Sequence, residues 1–296
     1  MKAIVLAGGA GSRLYPLTQV SSKQLQAVFD KPMIYYPLTV LIASGVKEFC
    51  LIATPHDLPR YQNLLGHGDQ WGVAIQYRAQ PRPEGIAQAF LIAADFVGSD
   101  DVILMLGDNI FSGGDDFPRA VSSFTDGATI FAYHVKDPER YGVVEFDQNG
   151  KAISIEEKPR HPKSNYAVPG VYLYDNSVLD IAKAVKPSVR GELEITDINL
   201  EYLRLGKLQV RRLSRGFAWL DAGTSTALHE ASSYIEAIER RQGVKIGCPE
   251  EAALVREFLS IAQFEKLIER MPACEYSDYL RGVADEWHRL QGIGGE

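Results

Sequence analysis

The segment AIVLAGGAGSR, residues 3–13, decides the fold, because an apolar strand runs directly into a glycine-rich loop. Further apolar runs at 49–54, 73–77 and 102–106 alternate with helical patterns at 33–44, 58–65 and 85–96. Strands that are apolar on both faces and separated by helices are typical of parallel βαβ units in a covered sheet. The first half of the chain therefore predicts an open α/β sheet.

Strand candidates lie closer together in the second half. They are ATIFAYHV (128–135), YGVVEFD (141–147), AISIEEKP (152–159) and NYAVPGVYLYD (165–175). Without helices between them, they predict antiparallel hairpins inserted in the same sheet. Two helical stretches and a strand at 208–213 then precede FAWLDAGT (217–224).

The C-terminal part of the chain predicts helices. An amphipathic pattern predicts a helix over 224–242, with Glu236, Glu239, Arg240 and Arg241 on its solvent side. The tail from residue 249 onward has helical patterns throughout.

The length of 296 residues allows one large domain or two small ones. No repeat, low-complexity segment or linker marks an interior boundary. We therefore predict an α/β domain over residues 1–242 and a helical C-terminal segment over 243–296. This segment is expected to belong to the same domain and to make oligomer or regulatory contacts.

Composition and charge exclude several classes of protein. The chain is 46% hydrophobic and 23% charged, which is ordinary globular composition. With 31 basic and 38 acidic residues its net charge is −7, which argues against a nucleic-acid partner. No run approaches the ~18 apolar residues of a membrane span, so no membrane association is expected. Three scattered cysteines without metal spacing favour a reducing compartment, and we predict a cytoplasmic protein.

The glycine loop at 8–11 favours phosphate binding, because glycines after a first strand let backbone N–H groups approach a phosphate. The loop is not a dinucleotide fingerprint, since Leu14 stands where the third glycine belongs, and no Gly-Lys-Ser/Thr follows as in a P-loop. Arg13 and Lys23 flank it instead. Two such cations can hold a triphosphate and stabilise a leaving pyrophosphate. A glycine-rich turn without a ligand is the alternative interpretation.

Two carboxylates end apolar strands. Asp108 follows VILMLG and Asp221 ends AWLD. Ligands of open α/β sheets bind beyond the carboxyl ends of strands, and Mg²⁺ held on substrate phosphates needs only one or two protein carboxylates. Each acid alone could equally cap a turn. Together with the phosphate loop, the pair favours a metal site.

The segment Glu156-Glu157-Lys158-Pro159 leaves two interpretations open. Alternating charges are common at an exposed hairpin tip. Alternatively, Lys158 receives a phosphate from a second substrate while Glu157 accepts hydrogen bonds from hydroxyl groups. The six histidines form no HxxxH pair, and no Gly-x-Ser-x-Gly elbow is present, so neither a histidine metal site nor an α/β-hydrolase nucleophile is expected.

A set of motifs in a fixed order carries a family resemblance. The motifs are GGAGSRLYPLT, SSKQL, DKPMIYYPL, QPRPEGIAQAF, LGDNIF, PERYGVVEF, EEKP, SNYAVPGVYLYD, GELEITDIN and AWLDAGT. From about residue 1 to 251 the chain resembles the glucose-1-phosphate thymidylyltransferases. The resemblance implies a Rossmann-like mixed, mostly parallel sheet flanked by helices, with inserted antiparallel hairpins and a helical C-terminal appendage. It also implies a Mg²⁺-dependent reaction of dTTP with α-D-glucose 1-phosphate that yields dTDP-glucose and pyrophosphate.

Matching positions imply three groups of site residues. The nucleotide would contact Leu6, Gly8, Gly9, Gly11, Ser12, Arg13, Lys23, Gln24, Gln80, Gly85 and Asp108. The sugar phosphate would contact Asn109, Tyr141, Gly142, Glu157, Lys158, Val168 and Trp219. The metal would bind Asp108 and Asp221, and the catalytic set would be Arg13, Lys23, Asp108, Lys158 and Asp221.

The resemblance further implies a homotetramer and the first step of dTDP-deoxysugar synthesis, for example that of dTDP-rhamnose. The chain departs from the family pattern at residues 25–27 and at Pro169, which removes a backbone donor beside Val168. Two alternatives therefore stay open. One is a nucleotidyltransferase specific for UTP or another sugar 1-phosphate, and the other is a catalytically silent sugar-nucleotide sensor.

Overall fold

The computed structural model describes residues 1–9 and 11–293. Fourteen strands lie within these residues. In chain order they are β1 Lys2–Leu6, β2 Ala27–Val28, β3 Lys31–Pro32, β4 Glu48–Ala53, β5 Ala74–Ala79, β6 Val102–Leu106, β7 Asn109–Ser112, β8 Ala128–His134, β9 Gly142–Phe146, β10 Ala152–Glu157, β11 Tyr166–Ala167, β12 Val171–Tyr174, β13 Leu208–Arg212 and β14 Ala218–Asp221.

Eleven α-helices lie in the same described part of the chain. They are α1 Tyr35–Ala43, α2 Leu58–Leu65, α3 Gln88–Ile92, α4 Ala94–Val97, α5 Asp116–Ser122, α6 Val178–Ala184, α7 Ile195–Arg204, α8 Ser225–Gln242, α9 Pro249–Val255, α10 Ile261–Glu269 and α11 Glu275–Ile293. None of them is long and apolar enough to cross a membrane.

The central sheet confirms the predicted mixed α/β fold. Its strand order is β10-β9-β11-β8-β12-β6-β1-β4-β5, and β13 pairs with β8. Strands β6, β1, β4 and β5 are parallel, as is the β13–β8 pair. Strands β10, β11 and β12 run against their neighbours, so the other seven of the ten described strands point the same way. The predicted hairpins form the β9–β10 end of this sheet.

Alternate residues of β1 enter two different hydrophobic cores. Val5 packs in a cluster with α1 and the C-terminal helices, whereas Ile4 packs in a cluster with α3 and α7. Both side chains are fully buried, because successive side chains of a strand point to opposite faces and helices cover both. Each such burial contributes about 1.5–3 kcal/mol. The sheet is thereby fixed between helical layers, with its strand ends left open for a site.

Three short elements differ from the sequence expectations. The helix predicted over 85–96 is split into α3 and α4, because the backbone leaves helical geometry at Ala93, where φ is −100° and ψ is 13°. The hairpin β2–β3 and the strand β7 were not expected. Strand β7 pairs antiparallel with β14 in a separate two-stranded ribbon. A four-residue strand whose partner lies about a hundred residues away leaves little periodic signal.

The predicted solvent position of Glu239 is wrong. Glu239 is only 6% exposed, and its Oε1 accepts hydrogen bonds from Lys31 Nζ at 2.9 Å and from the Ile246 backbone N–H at 2.8 Å. Lys245 Nζ lies 3.2 Å from the other carboxylate oxygen. The helical pattern of α8 could not show this burial, because the Lys31 ammonium comes from the distant β2–β3 hairpin.

The C-terminal helices α9, α10 and α11 confirm the helical prediction for the tail up to Ile293, and residues 294–296 lie outside the described range. Ala253, Phe264 and Leu280 from these helices are buried in the same cluster as Val5 of β1. The tail therefore packs on the core of the α/β sheet.

Candidate active site

The sequence-predicted site residues surround three adjoining cavities that all touch Asp108. The first, of about 610 Å³, is lined by Arg13, Asp108, Asn109, Tyr141, Gly142, Glu157, Lys158, Val168, Trp219 and Asp221. The second, of about 240 Å³, is lined by Leu6, Gly8, Gly9, Gln24, Gln80, Gly85, Asp108, Glu157 and Lys158. The third, of about 220 Å³, is lined by Gly8, Gly9, Gly11, Ser12, Arg13, Lys23, Gln24 and Asp108.

Two glycines shape the second cavity. A Cβ atom at Gly8 would lie 2.4 Å from Gln80 Oε1, and one at Gly85 would lie 2.3 Å from the Leu193 carbonyl oxygen. Gly85 also has a φ of +105°. Any larger residue at either position would force these neighbours apart. The close approach of Gln80 to the glycine loop therefore depends on the glycines themselves.

Lys23 lies beside Asp108 at the carboxyl ends of β1 and β6. It begins a short 3₁₀ turn, Lys23–Leu25, and is 8% exposed. Its Nζ lies 2.5 Å from Asp108 Oδ2. Both groups line the third cavity, so an anionic ligand bound there would meet an ammonium that is already largely desolvated.

The β7–β14 ribbon brings the two predicted metal-binding acids to one place. Asp221 pairs in register with Asn109, the residue that follows Asp108. Burial raises the pKa of Asp221, and the nearby Asp108 charge raises it further. A divalent cation between the carboxylates would relieve this repulsion. Within residues 1–9 and 11–293, no group of three or more His, Cys, Asp or Glu side chains gathers into a metal site.

Asn109 links the acids to the first cavity. Its Oδ1 accepts hydrogen bonds from Trp219 Nε1 at 2.7 Å and from the Gly170 N–H at 3.0 Å, so its amide must point Nδ2 the other way. Nδ2 donates to Asp108 Oδ1 at 3.1 Å. Because Asn109 is 4% exposed and fully engaged, it fixes the orientation of Asp108 and the indole together.

Tyr141 forms an aromatic wall of the first cavity with Trp219. The two ring centroids are 4.9 Å apart and the planes are tilted by 57°. Burial raises the pKa of Tyr141 to about 12, and the neighbouring Asp221 charge adds to the effect. Tyr141 therefore stays protonated at neutral pH and can donate a hydrogen bond.

The segment after β10 faces the cleft, where Lys158 lines both of the larger cavities. Lys158 has a φ of +45°, in the left-handed region that lysine rarely adopts. Its N–H donates to the Tyr141 carbonyl at 3.0 Å, which holds this conformation. Glu157 beside it accepts a hydrogen bond from Thr196 Oγ1 at 2.7 Å. Glu156 and Lys158 are exposed, as the first interpretation of this segment expects, and Glu157 and Lys158 also line the cleft, as the second requires.

Sequence reasoning missed several polar residues of the cleft. Arg140 lines the first cavity and lies 3.5 Å from Asp221 Oδ2. Arg190 lines the second cavity and donates to both carboxylate oxygens of Glu194 at 2.8 and 2.9 Å. Arg140 lies within the motif PERYGVVEF and Arg190 directly precedes GELEITDIN, so the order of these motifs along the chain was the signal that could have found them.

The fold and the site together define a class of enzyme that handles nucleotides beyond the ends of a mixed α/β sheet. The Nucleotidyl transferase family model matches residues 2–238. A glucose-1-phosphate thymidylyltransferase of Xanthomonas campestris pv. campestris is 53% identical over 285 residues, covering 96% of this chain and 97% of the relative. That of Mycolicibacterium smegmatis is 51% identical over 288 residues, covering 96% and 99%.

A solved structure agrees with these relatives. A Bacillus anthracis protein assigned as a glucose-1-phosphate thymidylyltransferase, solved in complex with sucrose, superposes with a TM-score of 0.74 at 44% identity. The match covers 79% of this chain and 94% of that one. The chain belongs to the glucose-1-phosphate thymidylyltransferase family of nucleotidyl transferases.

Proposed function

We propose that this enzyme transfers the thymidylyl group of dTTP to α-D-glucose 1-phosphate, giving dTDP-α-D-glucose and pyrophosphate. The observation that carries the proposal is the convergence of Arg13, Lys23 and Lys158 on cavities that share Asp108. In a chain of net charge −7, three cations facing one cleft suit two anionic substrates. The names of relatives that are about 50% identical over nearly their whole length support the same reaction.

The reaction requires that the attacking and leaving groups be aligned and that the negative charge of the phosphates be neutralised. A phosphate oxygen of the sugar phosphate attacks the α-phosphorus of dTTP, and the bond from that phosphorus to the bridging oxygen of pyrophosphate breaks. The attacking oxygen is already ionised, so no general base is required. The protein contributes orientation of the two phosphates in line and stabilisation of the charge on the leaving pyrophosphate.

Asp108 and Asp221 would hold the Mg²⁺ ion. Two carboxylates suit this ion, which keeps several waters and takes its other ligands from substrate phosphates. When bound, Mg²⁺ supplies Lewis-acid stabilisation of phosphate charge. Burial and the nearby Asp108 charge both raise the pKa of Asp221, and a bound cation would offset both, which supports this assignment.

The two larger cavities would divide the substrates. We assign the sugar phosphate to the first cavity, where Lys158 meets its phosphate and Glu157 accepts from sugar hydroxyls. Uncharged residues would complete this pocket and fix the orientation of the sugar. They are Asn109, Tyr141, Gly142, Val168 and Trp219.

We assign the nucleotide to the second and third cavities. Arg13 and Lys23 would hold its phosphates over the glycine loop, while Gln24 and Gln80 face its base and sugar. The backbone and apolar contacts would come from Leu6, Gly8, Gly9, Gly11, Ser12 and Gly85.

Broader features of the family extend the proposal. We infer a cytoplasmic homotetramer that performs the first step of dTDP-deoxysugar synthesis, such as that of dTDP-rhamnose. Its α/β domain would span residues 1–242, and residues 243–296 would belong to the same domain and contribute interface contacts. The packing of Ala253 and Phe264 on the sheet core supports the single domain, and Cys50, Cys248 and Cys274, all free, support a reducing compartment.

A substrate panel tests the proposed reaction. Pyrophosphate release is measured with dTTP, UTP and other nucleoside triphosphates, each combined with several sugar 1-phosphates in the presence of Mg²⁺. The proposal expects the highest kcat/KM for dTTP with α-D-glucose 1-phosphate, and loss of activity on chelation that Mg²⁺ restores. A tenfold preference for UTP would overturn the choice of nucleotide, and a folded but inactive protein would favour a sensor.

A further inference from the structure

The side-chain amide of Gln80 is the last member of a hydrogen-bonded chain. Its Nε2 donates to Gln88 Oε1 at 2.7 Å, and Gln88 Nε2 donates to Glu84 Oε2 at 2.7 Å. Gln80 directly follows β5 and is 4% exposed, whereas Gln88 begins α3. We call these three residues, Glu84, Gln88 and Gln80, the amide relay.

The relay has one chemically permitted direction. An ionised carboxylate only accepts hydrogen bonds, so Glu84 requires Gln88 to present its NH₂ group. Gln88 then presents its carbonyl oxygen to Gln80, and Gln80 must turn its own NH₂ group toward Gln88. Two backbone groups favour the same direction, since the Glu84 N–H lies 3.4 Å from Gln88 Oε1 and the Gly85 carbonyl lies 3.5 Å from Gln80 Nε2.

The remaining group of the relay, Gln80 Oε1, faces the glycine loop. A Cβ atom at Gly8 would lie 2.4 Å from it, and both residues line the second cavity. No donor among residues 1–9 and 11–293 is hydrogen-bonded to this oxygen. A largely buried amide therefore presents an oxygen of fixed direction to the cavity, where a donor of the ligand can reach it.

We propose that Glu84 and Gln88 are positioning residues for base recognition: they fix the direction of the Gln80 amide, and this direction favours a pyrimidine base that carries an N3–H group over cytosine. Thymine and uracil can donate N3–H to Gln80 Oε1, whereas the N3 of cytosine is itself an acceptor and faces that oxygen lone pair to lone pair. This inference rests on the proposed function, because it places the base of the nucleotide in the second cavity. Glu84 and Gln88 act as positioning residues, through Gln80.

The relay contacts the base only at its N3 position. It makes no contact with the 5-methyl group of thymine, so it should not distinguish dTTP from dUTP. A variant with a reversed relay should therefore change activity with dTTP and dUTP in parallel and shift dCTP the other way. A general loss of packing would instead lower activity with all three nucleotides.

Gln88→Lys reverses the relay. An ammonium only donates, and its charge-assisted hydrogen bond outweighs the long contact to the Gly85 carbonyl, so Gln80 must turn its oxygen toward residue 88. The NH₂ group of Gln80 then faces the base. The expected result is a fall of about 100-fold in the ratio of kcat/KM for dTTP to that for dCTP. The change should lie mainly in the nucleotide KM, with the KM for glucose 1-phosphate unchanged.

Three control variants separate the direction of the Gln80 amide from the effects of added charge and of a lost hydrogen bond. The double variant Glu84→Gln, Gln88→Glu retains the direction, because a carboxylate at position 88 accepts from both glutamines. Its dTTP to dCTP ratio should stay within about threefold of the wild-type ratio. Leu91→Lys adds the same charge on α3 at a side chain that is 39% exposed, and should leave the ratio unchanged. Gln88→Met removes the hydrogen bond that fixes the direction of the Gln80 amide but does not reverse that direction. It should lower the dTTP to dCTP ratio about tenfold.

The outcomes distinguish the relay from the proposed function. An unchanged ratio in a folded, active Gln88→Lys enzyme overturns the relay, as does a double variant that loses as much selectivity as Gln88→Lys. Should Gln88→Lys fail to fold, an unchanged ratio in Gln88→Met overturns it equally. Calorimetric binding of dTMP and dCMP gives the same comparison without turnover. Selective dTMP binding that is lost in Gln88→Lys supports the relay, even where absence of dTDP-glucose formation overturns the proposed reaction.

Discussion

Lys158 is the residue whose backbone departs most clearly from ordinary geometry within the site. Its φ of +45° costs about 1–3 kcal/mol for a residue with a side chain, and a conformation of this kind persists only where surrounding contacts impose it. The side chain is half exposed and projects where both larger cavities meet. Such strain accords with a cation that is held ready for a substrate phosphate.

Lys158→Ala should weaken binding of the sugar phosphate. Alanine retains the Cβ atom, so the backbone strain is unchanged and only the ammonium is lost. A charge-assisted hydrogen bond contributes about 1.5–3 kcal/mol, which corresponds to a rise of about 10- to 100-fold in the KM for glucose 1-phosphate. Steady-state kinetics measure this change, with Lys163→Ala as control, since Lys163 is similarly exposed and pairs with Glu145. An equal loss in kcat would contradict the assigned role.

Arg13→Ala should act on turnover instead. Arg13 lies where the first and third cavities adjoin, so its guanidinium faces the phosphates between the two substrates. Removing a group that meets developing charge costs about 10²- to 10³-fold in kcat. The KM for glucose 1-phosphate should change much less. A variant with wild-type kcat and a raised KM would place Arg13 in simple substrate binding.

Asp221→Asn should stabilise the metal-free protein and abolish most activity. Because folding raises the pKa of Asp221, the folded state loses stability as the pH rises from the usual aspartate range through the raised value. Asparagine removes that loss, so thermal denaturation at neutral pH should give a higher Tm for the variant. Mg²⁺ should raise the Tm of the wild type more than that of the variant, and kcat should fall at least 100-fold. A lower Tm for the variant without Mg²⁺ would contradict this electrostatic account.

At the scale of elements, the β2–β3 hairpin and α8 are joined by a buried ion-pair cluster. Lys31 and Glu239 have side chains 2% and 5% exposed, and Lys245 and Asp30 complete the cluster. The hairpin follows the turn that carries Lys23, and α8 follows the strand that carries Asp221. The cluster therefore fixes two site-bearing segments against each other.

Lys31→Met should destabilise the fold through this cluster. Removing one partner of a buried pair leaves an uncompensated charge and costs about 3 kcal/mol, at the low end of the usual range because Lys245 still faces Glu239. Urea denaturation measures the free energy of unfolding. Arg119→Met is the matched control, since it breaks an exposed helical pair with Asp115 and should change stability by less than about 0.5 kcal/mol. Equal effects of the two substitutions would refute a structural role for the cluster.

The elements with a strong local pattern were predicted well, and those fixed by distant partners were not. The helix α2 and the strand β6 begin and end at the predicted residues, because apolar periodicity within each element determines it. The β7–β14 ribbon and the buried position of Glu239 depend on partners far along the chain. Local sequence carries no record of such pairings.

The residues that the sequence analysis assigned to the site come together in the fold, and their roles stay a prediction. Every residue expected at the substrates lines one of the three cavities, because motifs at strand ends converge when the sheet is parallel. Arg140 and Arg190 were missed, since a single arginine in a loop has no periodic signal. The amide relay was missed for another reason, because the direction of a hydrogen-bonded chain appears only once its members are in contact.

At the scale of the whole molecule, helices cover both faces of the mixed sheet and leave the carboxyl ends of its parallel strands open. Three cationic side chains lie at this open end. The chain is acidic overall, yet Arg13, Lys23 and Lys158 face the cleft around Asp108. Membership of the glucose-1-phosphate thymidylyltransferase family and this distribution of charge support the same reaction. The proposed reaction thus brings both substrates to one cleft.

The most direct test of that account follows both products at once. Phosphorus NMR of the enzyme with dTTP, α-D-glucose 1-phosphate and Mg²⁺ should show dTDP-glucose and pyrophosphate forming in equal amounts, at the expense of both substrates. Pyrophosphate released without a sugar nucleotide, or no product from dTTP while another nucleoside triphosphate reacts, would contradict it.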